Sequence, residues 1–268
     1  MLRCPVCWSP LARQGKRYRC VRGHSFDVAR SGYVNLLRSG SGRSRGDALA
    51  MVRSRRAFLE AGHYRPLLEE LKRRVPPSHL GQHGLRSLLD VGCGEGYFTA
   101  GLAEALAGWE VWGIDISRDA VDVAARRHPE VNFAVAAARD LPILDASVDV
   151  AVSTFGPHEP GELRRVLRPG GRLLVASPGA AHLVELRRML YRDVRPPGHQ
   201  AVEDPRAGWS LIDRAELRYI LELDLGDRGA LLAMTPYTWA GSEDSRRAVL
   251  DLPTITAHFV ITELMPIA

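Results

Sequence analysis

Long apolar runs are missing from this 268-residue chain. No stretch of about 18 apolar residues occurs, which excludes a membrane-spanning helix of ordinary length. The opening Met1-Leu2-Arg3-Cys4-Pro5 lacks the apolar stretch of a secretory signal. Cysteine is scarce: Cys4, Cys7, Cys20 and Cys93 are the only four. Three of them fall within the first 20 positions, a clustering that fits metal binding in a reducing cytosol better than a disulfide framework. The expectation is a cytoplasmic protein with no membrane partner. No G-x-x-x-x-G-K followed by Ser or Thr is present, which removes the obvious reading of a phosphate-cradling loop.

Acidic residues are few at one end. Residues 1–60 hold 13 Lys and Arg against only Asp27, Asp47 and Glu60, a local net charge of +10. The remainder holds 23 basic and 28 acidic residues, a net −5. A molecule basic at one end and mildly acidic elsewhere has the charge distribution of a module that docks on phosphates; a general arginine bias would give the same local count.

Three regions separate by composition. Residues 1–36 are rich in Cys, Gly and Arg with short polar-apolar alternation; 37–50 form a Gly/Ser/Arg linker. Residues 51–76 read as one helix, with Phe58, Leu67, Leu68 and Leu71 apolar and Pro76-Pro77 as its stop. From Ser87 onward strands and helices alternate. Strands are expected at Ser87–Val91, Glu110–Ile114, Val131–Val135, Val148–Ser153 and Arg172–Ser177, and helices at 97–107, 117–127 and Glu159–Leu167. Such βαβ repetition implies a parallel sheet covered on both faces. Toward the end, Leu217–Leu225 and His258–Leu264 alternate like strands around a helical stretch near 227–234.

Cys4-Pro5-Val6-Cys7 and Cys20-x-x-x-His24 give C-x2-C-x12-C-x3-H. Two thiolates on one turn can share a tetrahedral Zn2+, and Cys20 with His24 would close the site from a second knuckle. Four protein ligands leave no open position, so the metal would be structural. A segment this short cannot build a sufficient core without such a staple. A redox Cys-x-x-Cys belongs at a helix start within a βαβ pattern, which this segment lacks.

Leu88-Leu89-Asp90-Val91-Gly92-Cys93-Gly94-Glu95-Gly96 follows a strand and opens a helix. Its glycines let the backbone turn sharply and approach a ligand. The spacing is G-x-G-x-G, with Tyr97 where a dinucleotide-binding loop would place its third glycine. Asp115 ends the next strand, 21 residues after Gly94, where a carboxylate can accept hydrogen bonds from both ribose hydroxyls. This set resembles motif I and its acidic partner in Rossmann-like methyltransferases. Arg139-Asp140-Leu141-Pro142 and Leu167-Arg168-Pro169-Gly170-Gly171 extend the likeness. It implies that Asp90 and the glycine loop, with Gly92 and Gly94, hold the methionine part of S-adenosyl-L-methionine. By the same likeness Asp115 holds the ribose, and Asp140 lies near the adenine.

Across nearly its whole length the chain resembles the RlmA family of large-subunit rRNA guanine-N1 methyltransferases. The likeness rests on Cys-Pro-x-Cys at 4–7, Gly23-His24-Ser25-Phe26-Asp27-Val28-Ala29, Gly32-Tyr33-Val34-Asn35-Leu36-Leu37 and Arg55-Arg56-Ala57-Phe58-Leu59-Glu60-Ala61-Gly62-His63-Tyr64. Gly92 to Tyr97, Pro178-Gly179-x-x-His182-Leu183 and Met234-Thr235-Pro236 complete it. The resemblance implies an α/β fold: a class I methyltransferase domain over 77–268 with a mostly parallel seven-stranded sheet. A zinc-ribbon-like module at 1–36 and a basic linker and helix at 37–76 would precede it. It further implies methylation of guanine N1 in a 23S rRNA hairpin near the peptide exit tunnel, and cofactor contacts from Tyr64, Gly94, Glu95 and His182. The intact glycine loop resembles that of the Gram-negative subtype, one of two that modify neighbouring guanines. Thr154-Phe155-Gly156-Pro157 departs from the Ala-Pro that relatives tend to carry, at a segment that would lie by the target base.

Methyl transfer to guanine N1 needs in-line geometry and loss of the N1 proton. Asp140, His158 and Glu159 stand in suitable positions, yet the sequence assigns no catalytic base. Tyr33, Phe155 and Trp209 are the aromatics that could stack on an extruded base. Arg43, Arg45, Arg53, Arg55 and Arg56 are the expected phosphate contacts. The partner is then 23S rRNA, with a homodimer as a further option. Two other classes fit the glycine loop: a small-molecule methyltransferase, and a non-catalytic RNA-binding protein that kept the fold. The basic module argues against the first, and the intact loop with Asp115 against the second.

Overall fold

The computed structural model describes residues 1–38, 47–75, 86–156, 159–191, 208–235, 237, 241–252 and 254–267. The N-terminal segment forms a three-stranded antiparallel sheet, β1 (Leu11–Gln14), β2 (Arg17–Cys20) and β3 (Ser25–Asp27). The turn joining β1 to β2 carries Gly15 at φ +63°, where a side chain would be strained. A two-residue strand, β4 (Val34–Asn35), then leaves this sheet and pairs in parallel with β7 (Asn132–Val135).

Helices α1 (Leu49–Glu60) and α2 (Arg65–Arg74) replace the single helix expected over 51–76. The break falls at Gly62, whose φ of +87° no right-handed helix contains; its N–H closes on Leu59 O. Val75 is extended at ψ 122°, as a residue before proline prefers. Pro76 itself lies outside the described residues.

Among the described residues eight strands, one more than the seven expected, make the large sheet, in the order β10-β11-β9-β8-β5-β6-β7-β4. The additional strand is β4, too short and polar to be counted from the sequence. β5 (Ser87–Val91) is buried throughout, as expected of a parallel strand covered on both faces. β6 (Glu110–Asp115), β7 and β8 (Val148–Thr154) run parallel to it, with α3 (Tyr97–Ala105), α4 (Arg118–Arg127) and α5 (Pro160–Val166) as crossovers. Helix α4 starts where Ser117 Oγ accepts from Ala120 N at 3.3 Å, and Arg126 and Arg127 occupy its last turn.

β9 runs over Leu167–Pro178, longer than the expected Arg172–Ser177, with a register shift between Val148 and Val150 where Gly170 and Gly171 turn the chain. After α6 (Val184–Leu190), β10 (Trp209–Glu222) and β11 (Thr254–Pro266) close the sheet as a long antiparallel pair around α7 (Leu225–Met234) and α8 (Glu243–Val249). They are longer than the segments expected from alternation; β10 is an edge strand whose exposed side mixes Arg214, Glu216, Arg218 and Glu222 with Ile212 and Ile220.

Alternate residues of each central strand enter different cores. Leu88, Val150 and Leu174 pack with Phe58, Leu67, Leu102 and Phe259; Leu89, Ala151 and Leu173 pack with Leu163, Trp112 and Ile143. The second core also takes Leu2 and Tyr18 from the N-terminal module. Backbone bonds Arg3 N to Pro142 O (2.9 Å) and Leu144 N to Met1 O (2.9 Å) fasten the module to the segment after β7.

Candidate cofactor, metal and RNA sites

Cys4, Cys7, Cys20 and His24 converge, all four ligand atoms lying within 4.8 Å of one another. Cys7 Sγ and Cys20 Sγ are 3.6 Å apart, and His24 Nδ1 stands 3.6 Å from Cys4 Sγ and 3.4 Å from Cys20 Sγ. Around tetrahedral Zn2+ with Zn–S near 2.3 Å, ligand atoms sit roughly 3.5–3.8 Å apart, so the spacing fits that ion. The donor set of three thiolates and an imidazole is complete without water, and Cys4 and Cys20 are buried.

The carboxyl end of the large sheet holds the second site. Gly92, Gly94 and Gly96 have φ of +83°, +54° and +89°, the left-handed conformations that require glycine. Gly92 N and Cys93 N both donate to Ile114 O, at 2.8 and 3.1 Å, which locks the loop onto β6. Asp115 accepts from Gly94 N at 3.0 Å and from Ser117 N at 2.7 Å, one on each oxygen. Burial raises its pKa. Below the loop, Asp90 is 1% exposed; Thr99 Oγ1 donates to its Oδ2 at 2.6 Å, and among the described residues its buried Oδ1 has no partner. Burial pushes Asp90 up to about 7, and Glu95, also buried, up to about 7. Loop, leftover acceptor and ribose-spaced acid together fit S-adenosylmethionine.

Two further residues complete this region, of which the sequence gave no reason to single out Asp47. Asp47, inside the linker, pairs with Arg55, and its backbone oxygen accepts from Ser117 Oγ at 3.2 Å. Arg55, expected on phosphate, lies close to the glycine loop: a side chain at Gly94 would meet its Nη1 at 3.7 Å. Its charge lowers the pKa of Glu95 against the effect of burial.

An aromatic box faces the loop. Tyr64 packs edge-on against Phe58 and Phe259, at 5.1 and 4.9 Å between centroids. His182 is buried beside it with Nε2 3.4 Å from Tyr64 Oη, while His258 N–H donates to His182 Nδ1 at 3.2 Å. Burial first, then Arg187 and His258, drives the His182 pKa down to about 3, so the ring is neutral. A neutral ring that accepts at Nδ1 carries its hydrogen on Nε2. Nε2–H therefore donates to Tyr64, and the tyrosine's own hydrogen is left for another acceptor. No sequence pattern marks His258, which fixes this tautomer from the neighbouring strand.

At the end of β8, Phe155 is 41% exposed at φ +57° and stacks on His182 with ring planes 24° apart. The other two aromatics considered for base stacking are buried. Tyr33 accepts from Arg118 Nε at 2.9 Å, and Trp209 lies in the second core.

The remaining expected residues separate. Asp140 receives Arg38 Nη1 at 3.3 Å and lies 4.0 Å from Arg3 Nη2, so the module's arginines engage it. Arg53 is exposed, and Arg56 lies 3.6 Å from Glu60. Arg43, Arg45 and His158 lie outside the described residues, and Glu159 caps α5 in an exposed position. No helix among the described residues is long and apolar enough to cross a membrane.

Comparison with known proteins identifies the family. A family profile described as "RlmA, N-terminal" matches residues 2–45, and one for a methyltransferase domain matches 88–171. A 23S rRNA (guanine(748)-N(1))-methyltransferase of Streptomyces fradiae is 36% identical, over 99% of this chain and 97% of that one. This relative lends no weight to the Gram-negative subtype. A provisionally designated 23S rRNA (guanine-N1)-methyltransferase of Micromonospora griseorubida is 37% identical over 99% and 97% of the two chains. Among solved structures, a methyltransferase in complex with the Haloferax volcanii Trm112 activator shares the fold at a TM-score of 0.52 and 21% identity, covering 81% of this chain and 94% of that one. By its N-terminal zinc ribbon, its methyltransferase domain and its likeness over almost the whole sequence, the chain belongs to the RlmA family of 23S rRNA guanine-N1 methyltransferases.

Proposed function

We propose that this protein acts in the cytoplasm, transferring a methyl group from S-adenosylmethionine to N1 of a guanine in a 23S rRNA hairpin. The observation that carries this reading is the exposed Phe155, next to Gly156, which packs against Gly92 of the glycine loop, in a chain whose attached zinc module is basic. When bound, S-adenosylmethionine supplies an electrophilic methyl group on sulfur. Asp115 holds the ribose, Asp90 receives the methionine ammonium on its leftover oxygen, and the Tyr64 hydroxyl donates to the methionine carboxylate. His182 and Glu95 complete the pocket around Gly92 and Gly94, and Asp140 stands at the adenine end. Cys4, Cys7, Cys20 and His24 hold a structural zinc, which keeps residues 1–36 folded as a docking module. Residues 77–268 carry the chemistry.

Phe155 stacks on the extruded guanine and presents its N1 edge in line with the methyl group. The residue or solvent molecule that takes the N1 proton is left unassigned. Neither Tyr64, whose pKa burial raises, nor neutral His182, already donating at Nε2, serves as that base. Arg53 and Arg56, with Arg43 and Arg45 of the linker, contribute phosphate contacts. Purified enzyme with labelled cofactor and rRNA from a strain lacking the gene should yield N1-methylguanine and a primer-extension stop at one guanine. Label confined to small metabolites, or appearing as N7- or O-methylation, overturns the reading.

A further inference from the structure

Trp8 follows the second cysteine of the first zinc knuckle. Its N–H donates to Cys4 O at 2.8 Å, and the turn forces φ to +65°. Glycine fits that conformation without strain; a bulky side chain does not. The indole gains little from packing to offset this, since the residue is 43% exposed. Two guanidinium groups lie against the ring, Arg3 at 4.0 Å and Arg38 at 5.3 Å from its centroid.

Those arginines give the ring a fixed address. Arg3 is held by Leu141 O at 3.2 Å, Asp145 at 3.4 Å and Glu162 at 3.7 Å. Glu162 lies in the first turn of α5, the helix into which the segment after Phe155 leads. Arg38 emerges from β4 at the carboxyl end of the sheet and meets Asp140. The module that carries Trp8 also exposes Arg13, Lys16, Arg17, Arg19 and Arg22, with Asp27 the only acid among residues 1–38.

We propose that Trp8 is a stacking platform for an unpaired nucleotide of the RNA, flanking the guanine held at Phe155, with the neighbouring phosphates on the exposed basic residues. A planar ring with guanidinium groups over it and 43% of the residue open to solvent suits a base and its backbone. The surrounding positive charge selects RNA over a protein partner. This inference rests on the RNA-modifying reading above and adds to it the module residue that contacts a base.

Trp8→Gly separates folding from binding, because glycine relieves the left-handed turn. The probe is a transcribed hairpin containing the guanine that the full-length, zinc-loaded enzyme methylates, followed by fluorescence anisotropy. Trp8→Gly should keep its zinc and its affinity for S-adenosylmethionine but bind the hairpin about 5- to 100-fold more weakly, the range for losing one stacked base. The slope of affinity against salt should not change, because no phosphate contact is lost. Trp8→Phe should recover most of the affinity. Wild-type hairpin binding by Trp8→Gly overturns the proposal. So does normal binding to naked RNA with activity lost only on ribosomal particles, which assigns the ring to a ribosomal protein. If Trp8→Gly loses zinc, Trp8→Leu replaces it, and hairpin affinity equal to wild type in that variant is likewise decisive against stacking. If wild-type enzyme methylates no guanine, the functional reading fails first and separately.

Discussion

The zinc module and the glycine-loop region meet the cost of desolvation in opposite ways. Residues 1–36 have little core of their own: Val6 and Val21 are 59% and 89% exposed at the two knuckle tips. Order there comes from four metal ligands and from Leu2 and Tyr18 inserted into the larger domain. The glycine-loop region has abundant core and spends part of it burying Asp90 and Glu95 close to the half-buried Asp115. Buried acids disfavour their charged forms. A staple thus compensates for missing stability in one region, while surplus stability in the other supports groups waiting for a ligand. The two meet at Arg3 and Arg38 on Asp140.

The largest effect should come from the metal. Cys4→Ser with Cys7→Ser should abolish the zinc, about one per chain, found by metal analysis; structural zinc sites contribute on the order of 10 kcal/mol to local folding. Cofactor affinity, measured by calorimetry, should fall far less. Equal losses of both would show one cooperative unit instead of two differently held regions.

Next, Asp115→Ala should weaken S-adenosylmethionine binding by about 1–3 kcal/mol, the scale for stranding polar partners. Gly94 N and Ser117 N lose their acceptor as well. Unchanged calorimetric affinity in the variant contradicts the ribose assignment.

Phe155→Ala should reduce rRNA methylation roughly 5- to 100-fold, the scale of one lost base stack. Cofactor binding should be preserved, placing the loss on the RNA side. A proportional loss of cofactor affinity would instead make Phe155 part of the cofactor pocket.

The smallest effect concerns the buried acids. Asp90 has a folded pKa near 7, above the value of an unfolded aspartate. Its contribution to stability is fully present below about pH 4 and lost as pH rises through 7. Asp90→Asn should therefore raise the melting temperature of the cofactor-free protein by about 2–4 °C at pH 8 while weakening cofactor binding. His182 has the opposite sign: its folded pKa of about 3 lies below 6.5, so the stability it confers is present above pH 6.5 and lost as pH falls toward 3. His182→Gln should flatten the acid limb of a pH–melting curve, whereas Asp90→Asn should flatten the alkaline limb.

Much of this was legible before any fold was known. The C-x2-C-x12-C-x3-H spacing fixed the four metal ligands because a knuckle is a local structure. Gly92–Gly96 and Asp115 were legible because adjacent parallel strands end level with each other. Tyr64 and His182, 118 positions apart, entered by resemblance alone, since nothing local links them. The surroundings of Arg55 were hidden for a related reason: its charge is evident in the sequence, but its partner Asp47 is evident only in space.

The chain's own order therefore determined the metal set, the alternation of strands and helices, and the acid after the second parallel strand. Each depends on residues near in sequence or on the fixed period of a strand. Tertiary structure decided the eighth strand, where β4 finds an edge of β7 to pair with. It also decided the tautomer of His182, which is set by a backbone N–H of β11, and that Phe155 is exposed while Tyr33 and Trp209 are buried. Which aromatic ring stays open to a ligand depends on what packs over it. That is a property of contacts between distant segments, which composition and periodicity do not encode.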